Sequence, residues 1–347
     1  MARRTGKHTI LLDTMPVVLS WAAVGGKLEG EGPLGGQFDE INEDSYYGEK
    51  TWEKAESAMQ KQALTLALKK AGLKGEDLQF IFAGDLLNQS LSATFAHRDW
   101  GVPFVGLYGA CSTMSESLAL AALFVEAGYA RLCAAATSSH FCTAERQFRF
   151  PLEYGGQRTP VPYGNQRTPT AQWTATASGA AVLGAQGRGP RVKAVTLGAI
   201  VDMGTTDANN MGAAMAPSAA DTLKKFLEDT GTTTADYDMI VTGDLGQVGS
   251  ALLGELLAKD GISLESRHND CGLLLYDREK QTQVESGGSG CGCSASVLCS
   301  YLLPALQNKE VKDILFMATG ALMSTTSSQQ GESIPGVCHL VHLTGGA

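Results

Sequence analysis

Apolar residues recur at helical spacing in two long stretches of the chain. The first stretch covers residues 50–71, is followed by Gly72, and has apolar positions at Trp52, Ala55, Met59, Ala63, Leu66 and Ala67. The second ends near Gly231 and has apolar positions at Ala220, Leu223, Phe226 and Leu227. This spacing predicts an amphipathic helix in each stretch, each ending at a glycine.

A short apolar strand follows each predicted helix and stops at the same tripeptide, Gly-Asp-Leu. The two segments read GEDLQFIFAGDLLNQS at 75–90 and TADYDMIVTGDLGQVG at 234–249. Each is followed by a glycine-rich turn, a helix of small apolar residues, and a strand that ends in threonine: GACSTMSESLALAALFVEAG with RLCAAAT, and GGSGCGCSASVLCSYLLPAL with DILFMAT. The same order in both halves indicates an internal duplication.

Strands that alternate with helices predict mostly parallel sheets with both faces covered. The helices at 112–127 and 294–306 are apolar nearly all round, so we expect them to be buried between the two sheets. The predicted fold is therefore an α/β, duplicated α-β-α-β-α five-layer sandwich with halves at 1–190 and 191–347. The glycine-rich segment 25–36 predicts a surface loop, and 141–172 is a long irregular segment of the kind that often carries function.

Composition narrows the possible partners. The 347 residues include 27 Lys and Arg against 36 Asp and Glu, a net charge of -9, without a long basic run, which argues against nucleic acid as a partner. The basic start is not followed by an apolar stretch of signal-peptide length, and the longest apolar run, 118–125, is too short to cross a bilayer. Membrane attachment is thus expected to be peripheral. The eight cysteines are expected to be reduced core thiols.

Cys111 stands in a glycine-flanked turn between an apolar strand and a helix, which is a common way to display a nucleophile. A helix N-terminus favours a thiolate and predicts a lowered pKa for this thiol. The organisation resembles the thiolase-like superfamily, in which a cysteine at this position is acylated. In that comparison Ser289, within GSGCGCSA at 288–295, occupies the place of a catalytic histidine. Serine is not a useful base, so the resemblance implies a pseudoenzyme with Cys111 as a vestigial nucleophile.

A closer resemblance is to the stage V sporulation protein AD family, along nearly the whole chain. It is carried by EGEGPLG at 29–35, AGDLLNQ at 83–89, GLYGACSTM at 106–114, SSHFCTAERQFRFPLEYG at 138–155, MGAAMAP at 211–217, HNDCG at 268–272 and SSQQGESIPG at 327–336. The resemblance implies binding of dipicolinic acid, alone or as its calcium chelate, and its uptake into the developing spore. It also implies membrane-protein partners from the same sporulation operon, a peripheral place at the spore inner membrane, and a homodimer.

Dipicolinate is a flat aromatic dianion, so its site needs an apolar slot and positively charged donors. The segment 141–172 offers four arginines to bind the two carboxylates. The predicted ligand-binding residues are Cys111, His140, Arg146, Arg149, Arg158, Arg167, Gln172 and Ser289. No cofactor and no metal are predicted: His268, Cys271, Cys291 and Cys293 have zinc-like spacing, but Cys293 opens an apolar helix.

Two other functions stay open at this point. Cys111 is the candidate nucleophile of an acyl-CoA-dependent acyltransferase or condensing enzyme whose base is not visible in the motifs, and His268 is one candidate for that base. The second alternative is a structural scaffold for membrane partners. Each arginine of 141–172 has a structural role as its alternative, an ion pair with Glu145, Glu153 or another acid.

Overall fold

The computed structural model describes residues 2–149 and 168–346. Of Arg149 and Glu265 it describes the backbone alone. The strands of these ranges are β1 (Arg3–Thr5), β2 (Thr9–Leu11), β3 (Val17–Gly26), β4 (Glu40–Asn42), β5 (Phe80–Gly84), β6 (Phe104–Leu107), β7 (Leu132–Ser139), β8 (Trp173–Thr174), β9 (Ala177–Gly184), β10 (Arg191–Leu197), β11 (Met239–Thr242), β12 (His268–Asp270), β13 (Gly288–Ser289), β14 (Asp313–Ala321) and β15 (Gly336–Thr344). The α-helices are α1 (Lys27–Gly30), α2 (Trp52–Ala71), α3 (Leu91–His97), α4 (Thr113–Glu126), α5 (Phe141–Ala144), α6 (Met211–Thr230), α7 (Gly246–Lys259), α8 (Cys271–Leu275), α9 (Cys291–Val297), α10 (Leu303–Gln307) and α11 (Thr325–Gln329).

Ten strands follow one another in the order β12-β11-β14-β15-β10-β3-β9-β7-β5-β6. The first five in this order come from the second half of the chain and the last five from the first half. A single antiparallel residue pair, Arg191 with Val17, joins the two groups. The predicted boundary at 190/191 falls between β9 and β10, but the β1–β2 hairpin pairs with β10 and so lies on the second group.

Helices cover and separate the two strand groups. α2 packs on β3, β7 and β9, and α6 packs on β14 and β15, so these long helices form the outer layers. α4 contacts strands of both groups, and α9 packs beside it against β7 and β9. Both are almost entirely buried, as their apolar composition predicts. The α/β five-layer arrangement is confirmed.

The two long amphipathic helices end at the glycines that the sequence indicates. α2 is followed by Gly72 at φ 66° and α6 by Gly231 at φ 65°, both in the left-handed conformation that glycine adopts without strain. The middle-layer helix of the second half is less regular than predicted. It runs as α9, a π-helical turn at Leu298–Leu302, and α10.

The surface-loop prediction for 25–36 is wrong in part. β3 continues to Gly26, α1 follows, and the side chain of Glu29 is buried. Its carboxylate accepts hydrogen bonds from the Tyr276 hydroxyl and, at 3.0 Å, from the Thr176 amide. A buried acid with partners so distant in the chain leaves no trace in the local hydrophobic pattern, which is why the pattern does not reveal it.

The first Gly-Asp-Leu turn closes on itself. The carboxylate of Asp85 is buried and accepts hydrogen bonds from the amides of Leu87, at 2.8 Å, and Ala93, at 2.7 Å. These bonds fix the connection from β5 to α3. The corresponding acid of the second turn, Asp244, has different partners and belongs to the candidate site.

Candidate functional site

Cys111 lies in the turn between β6 and α4 and is 6% exposed. The preceding residue, Ala110, has φ 51°, a conformation that L-residues other than glycine seldom adopt. The turn packs directly on β14: a Cβ atom placed on Gly320 would lie 2.2 Å from the carbonyl oxygen of Gly109. A glycine at 320 is therefore needed for the cysteine turn to sit at this depth.

Ser289 reaches the same place from the second half of the chain. It lies in the two-residue strand β13, which pairs in parallel with β8. Gly290 then turns the chain into α9 with φ 101°. The hydroxyl oxygen of Ser289 lies 3.9 Å from the sulfur of Cys111, so the two halves meet at these side chains.

Asp244 is fully buried behind this pair, between the end of β11 and α7. One carboxylate oxygen accepts hydrogen bonds from the Ser289 hydroxyl at 3.2 Å and the Gly290 amide at 2.9 Å. The other accepts from the Thr319 hydroxyl at 2.9 Å. The donors are hydroxyls and an amide, so these bonds orient the carboxylate without supplying a positive charge.

The surroundings hold the Cys111 thiol in its neutral form. Burial and then the nearby Asp244 carboxylate raise the pKa of the thiol well above its usual value. The expectation of a lowered pKa is wrong, because desolvation and a neighbouring negative charge outweigh the helix N-terminus. Burial also raises the pKa of Asp244, to about 7. Since the carboxyl is the stronger acid of the two, the proton stays on the sulfur.

A narrow cavity of about 40 Å³ opens at these side chains. Its lining is mostly apolar and consists of Leu86, Tyr108, Ala110, Cys111, Ala144, Phe148, Thr174, Met211, Ser289, Ala321 and Met323. A space of this size holds about one water molecule, whereas pockets for organic ligands usually measure hundreds of Å³. An aromatic diacid therefore enters only if lining side chains move.

The structure brings Cys111 and Ser289 together but places the other described candidates away from the cavity lining. Arg146 forms an ion pair with Glu53 and lies 5.6 Å from the ring centre of Trp52. Arg149 is described only by its backbone, in a π-helical turn at Glu145–Arg149. Arg158 and Arg167 lie outside the described residues.

His140 and Gln172 hold the polypeptide backbone around the site. The ring of His140 is buried, accepts a hydrogen bond from the Cys142 amide at 3.1 Å, and lies 2.8 Å from the Ser45 carbonyl oxygen. Burial lowers its pKa to about 4, so the ring is neutral. The amide of Gln172 donates to the carbonyl oxygens of Asp244 and Gly288, which ties β8 to the turn that carries Ser289.

His268 lies on β12, away from the cysteine turn. Its Nε2 atom is 3.0 Å from the Thr242 hydroxyl, and burial lowers its pKa to about 4. It lines a separate surface groove beside α7. Within 2–149 and 168–346, no group of three or more His, Cys, Asp or Glu side chains is arranged to hold a metal ion.

Asp244 is the site residue that sequence reasoning does not identify. The resemblance to the thiolase-like enzymes indicates Cys111 and the histidine position held by Ser289, and it gives no reason to single out the aspartate of Gly-Asp-Leu. One signal is present in the duplication, since the first copy also carries an acid, Asp85, at the end of a buried strand. An acid repeated at the carboxyl ends of two apolar strands indicates a structural or functional need for that charge.

The sequence profile of stage V sporulation protein AD matches residues 6–344. The stage V sporulation protein AD of Bacillus subtilis (strain 168) is 42% identical over 335 residues, which cover 96% of each chain. The chain belongs to the stage V sporulation protein AD family. In the ranges of this sporulation protein that the structure describes, no helix combines the length and apolarity that a bilayer crossing requires.

Solved structures of condensing enzymes share the fold. The 3-oxoacyl-[acyl-carrier-protein] synthase III of Aquifex aeolicus VF5 is 15% identical, with a TM-score of 0.57 over 95% of this chain and 99% of that one. The cerulenin-bound OleA of Xanthomonas campestris is also 15% identical, with a TM-score of 0.58 over 95% and 96%. At this identity the likeness establishes a thiolase-like fold for the sporulation protein and no more.

Proposed function

We propose that this sporulation protein is a non-catalytic member of the thiolase-like fold that binds dipicolinic acid in the Cys111 cavity and assists its uptake into the developing spore. The observation that carries the proposal is the contact of Cys111 with Ser289, backed by Asp244. A cysteine nucleophile needs a group that stabilises its thiolate, and here a hydroxyl and a carboxylate take that place.

The nature of the ligand rests on membership of the stage V sporulation protein AD family and on the chemistry of the cavity wall. Apolar side chains such as Leu86 and Met323 suit the faces of an aromatic ring, and the Tyr108 hydroxyl is a donor for a carboxylate. Dipicolinate exceeds the 40 Å³ of the cavity, so binding requires displacement of lining side chains. Phe148 is the largest of these that approaches from the 141–172 segment.

Calorimetric titration of the purified protein with dipicolinate, with and without calcium, tests the proposal. Ala321→Phe fills the cavity and is expected to abolish binding. The matched control is Ala251→Phe, an equal change at an exposed position of α7, which should leave the affinity unchanged. Equal affinity of the two variants, or no binding heat for the wild type at millimolar ligand, would contradict the proposal.

Acyl transfer is the second candidate, because the Asp244 carboxylate is linked to the Cys111 thiol through the Ser289 hydroxyl and is thus a candidate base. In this reaction the thiol would lose its proton to Asp244, and sulfur would displace coenzyme A from an acyl-CoA. Intact-protein mass spectrometry after incubation with acyl-CoA distinguishes the two functions. A covalent acyl group on Cys111 that turns over would favour the enzyme, and an unmodified protein favours the binding function.

A homodimer is also part of the proposal. β6 pairs with β5 on one side, and no described strand pairs with its other side. Tyr108 at its end is 44% exposed, and Phe95 of the adjacent α3 is 49% exposed. An open strand edge with exposed aromatic residues suits pairing with a second copy. Light scattering should give a dimer that Phe95→Asp dissociates, whereas Tyr129→Asp, at another exposed aromatic position, should not.

The remaining part of the proposal is a peripheral place at the spore inner membrane, through membrane proteins of the same sporulation operon. This part rests on family membership. Co-purification of a tagged chain with those proteins from sporulating-cell membranes tests it, and recovery of the tagged chain in the soluble fraction alone would contradict it.

A further inference from the structure

Asp244 lies one layer behind the wall of the Cys111 cavity. Ser289 lines the cavity, and its hydroxyl donates to the carboxylate of Asp244 at 3.2 Å. Cys111, which also lines the cavity, lies 3.9 Å from that hydroxyl, and the Asp244 carboxylate raises the pKa of its thiol. Any group that fills the cavity thus lies against Ser289, which contacts Asp244 directly, and against Cys111, which is close enough to feel its charge.

We infer that Asp244 makes the cavity selective for charge, so that a carboxylate ligand is bound together with one proton, which the Asp244 carboxyl takes up from solvent. The inference rests on the proposed binding function and concerns which charge state of the site accepts an anion. Two negative charges separated by one buried layer repel strongly, because the surroundings screen them poorly. Neutralising the carboxyl removes that repulsion.

Among the side chains that the structure describes, those that contact Asp244 give the anion no counter-charge. Its direct donors are the uncharged groups of Ser289, Gly290 and Thr319. The titratable side chains that face it from the neighbouring elements are Asp270 at the end of β12, Cys111 before α4, Cys271 in α8, Cys291 and Cys293 in α9, and Cys338 in β15. Burial raises the pKa of each of these cysteines, so they are neutral thiols.

Asp270 does not compensate the charge either. It accepts hydrogen bonds from the Thr242 hydroxyl at 2.7 Å and from the amides of Leu245, Gly246 and Gly272 at 2.8 to 3.0 Å. Its interaction with Asp244 raises the pKa of Asp244 further. Two buried acids therefore share one region, and a third anion is accommodated most readily when one of them is protonated.

The pKa of Asp244 lies near 7, within the pH range where the coupling of ligand binding to proton uptake is measurable. Well above this pH the empty site is ionised and the complex is protonated, so the dissociation constant for dipicolinate should rise by up to about tenfold per pH unit. Near pH 5 the carboxyl is already protonated and no proton is taken up. At pH 8, where protons are counted, dipicolinate is a dianion because carboxyl groups ordinarily titrate near about pH 4, so its own titration does not contribute.

Calorimetry of dipicolinate binding without calcium, at pH 8 in two buffers of different ionisation enthalpy, counts the protons taken up. The wild type is expected to take up close to one proton. Asp244→Asn should reduce that number to near zero and tighten binding at pH 8 by about tenfold, the effect of one pH unit above the pKa. The control is Glu29→Gln, which removes a buried carboxyl that does not line the cavity and should leave the proton count unchanged.

The outcomes separate this inference from the proposed function. Dipicolinate binding without proton uptake at pH 8, or uptake that persists in Asp244→Asn, would overturn the inference and leave the binding function standing. Absence of binding in both proteins at every pH would overturn both. The wild-type proton count is decisive by itself if the Asp244→Asn protein does not fold.

Discussion

The sulfur of Cys111 and the hydroxyl oxygen of Ser289 lie 3.9 Å apart, although 178 positions separate them in the chain. The Ser289 hydroxyl donates its hydrogen to Asp244, so its oxygen is left to accept a hydrogen bond from the Cys111 thiol. The pair thus stabilises a thiol and not a thiolate.

Removal of the Asp244 charge should make the Cys111 thiol more reactive. Asp244→Asn eliminates a negative charge that raises the pKa of the thiol, and each unit by which that pKa falls increases the thiolate fraction about tenfold. The measurement is the rate of Cys111 alkylation by iodoacetamide at pH 8, followed by peptide mass spectrometry. Glu29→Gln is the matched control, and equal rates in both variants would show that Asp244 does not govern the thiol.

The contribution of Glu56 to stability should decline as pH rises from 5 to 8. This acid is fully buried against Ser138 and Thr143, and burial raises its pKa from 4.5 to about 8. Between these values the folded state keeps a proton that the unfolded state has released, so its contribution is greatest below pH 4.5 and is lost through pH 8. The neighbouring Asp85, with a pKa near 6, adds to the decline at its lower end.

Relative to the wild type, Glu56→Gln should make the slope of the unfolding free energy against pH more positive by up to about 1.4 kcal/mol per pH unit. Urea unfolding at intervals between pH 5 and pH 9 measures it. Glu255→Gln, which removes an exposed carboxylate from α7, is the control. Parallel curves for wild type and Glu56→Gln would mean that Glu56 titrates normally.

Gly320→Ala should destabilise the protein and displace the cysteine turn. The new methyl group would lie 2.2 Å from the Gly109 carbonyl oxygen, which forces β14 and the turn apart. Overpacking of this kind costs about 1–3 kcal/mol. Gly254→Ala on α7 meets no atom within 4 Å and should instead raise stability by about 0.5–1 kcal/mol. Urea midpoints of the two variants that move in the same direction would contradict this account.

Tyr276→Phe should weaken the link between the two halves of the chain. The variant removes the hydroxyl that donates to the buried Glu29 carboxylate, and the loss of a buried donor to a charged acceptor costs about 1–3 kcal/mol. Tyr129→Phe, at a ring that is 72% exposed, should change the free energy of unfolding by less than about 0.5 kcal/mol. A difference between the variants smaller than this would show that the bond contributes little.

The features that the sequence predicts well are those with a local signal. Helical spacing and a closing glycine define α2 and α6, and apolar composition on every side places α4 in the middle layer. The repeated order of elements then gives the duplicated sandwich. Glu29 and Asp244 escape prediction because what defines them is the set of partners that the fold brings together. Glu29 is bonded to Tyr276 of the other half of the chain, and Asp244 is bonded to Thr319, which is distant from it within its own half.

The residues of the candidate site also differ in how well the sequence predicts them. The glycine-flanked turn indicates Cys111, a resemblance to a known family indicates Ser289, and the two residues do meet. The arginines of the 141–172 segment are predicted to bind the ligand because of their charge alone. Charge does not determine whether a guanidinium group faces a cavity or a neighbouring acid. Arg146 faces Glu53. The predicted ionisation of Cys111 is wrong because a helix N-terminus is visible in sequence, whereas a carboxylate from a distant strand is not.

The two Gly-Asp-Leu turns follow equivalent strands in the two halves, and their acids have different hydrogen-bond partners. The carboxylate of Asp85 accepts hydrogen bonds from two nearby amides, those of Leu87 and Ala93. A substitution of Asp85 would therefore remove the bonds that fix the connection from β5 to α3. Asp244 instead directs one oxygen to Ser289 in the wall of the Cys111 cavity and the other to Thr319 on β14. The first acid thus secures its own loop, whereas the second joins side chains of two strands, β13 and β14, at the place where the two halves of the chain meet.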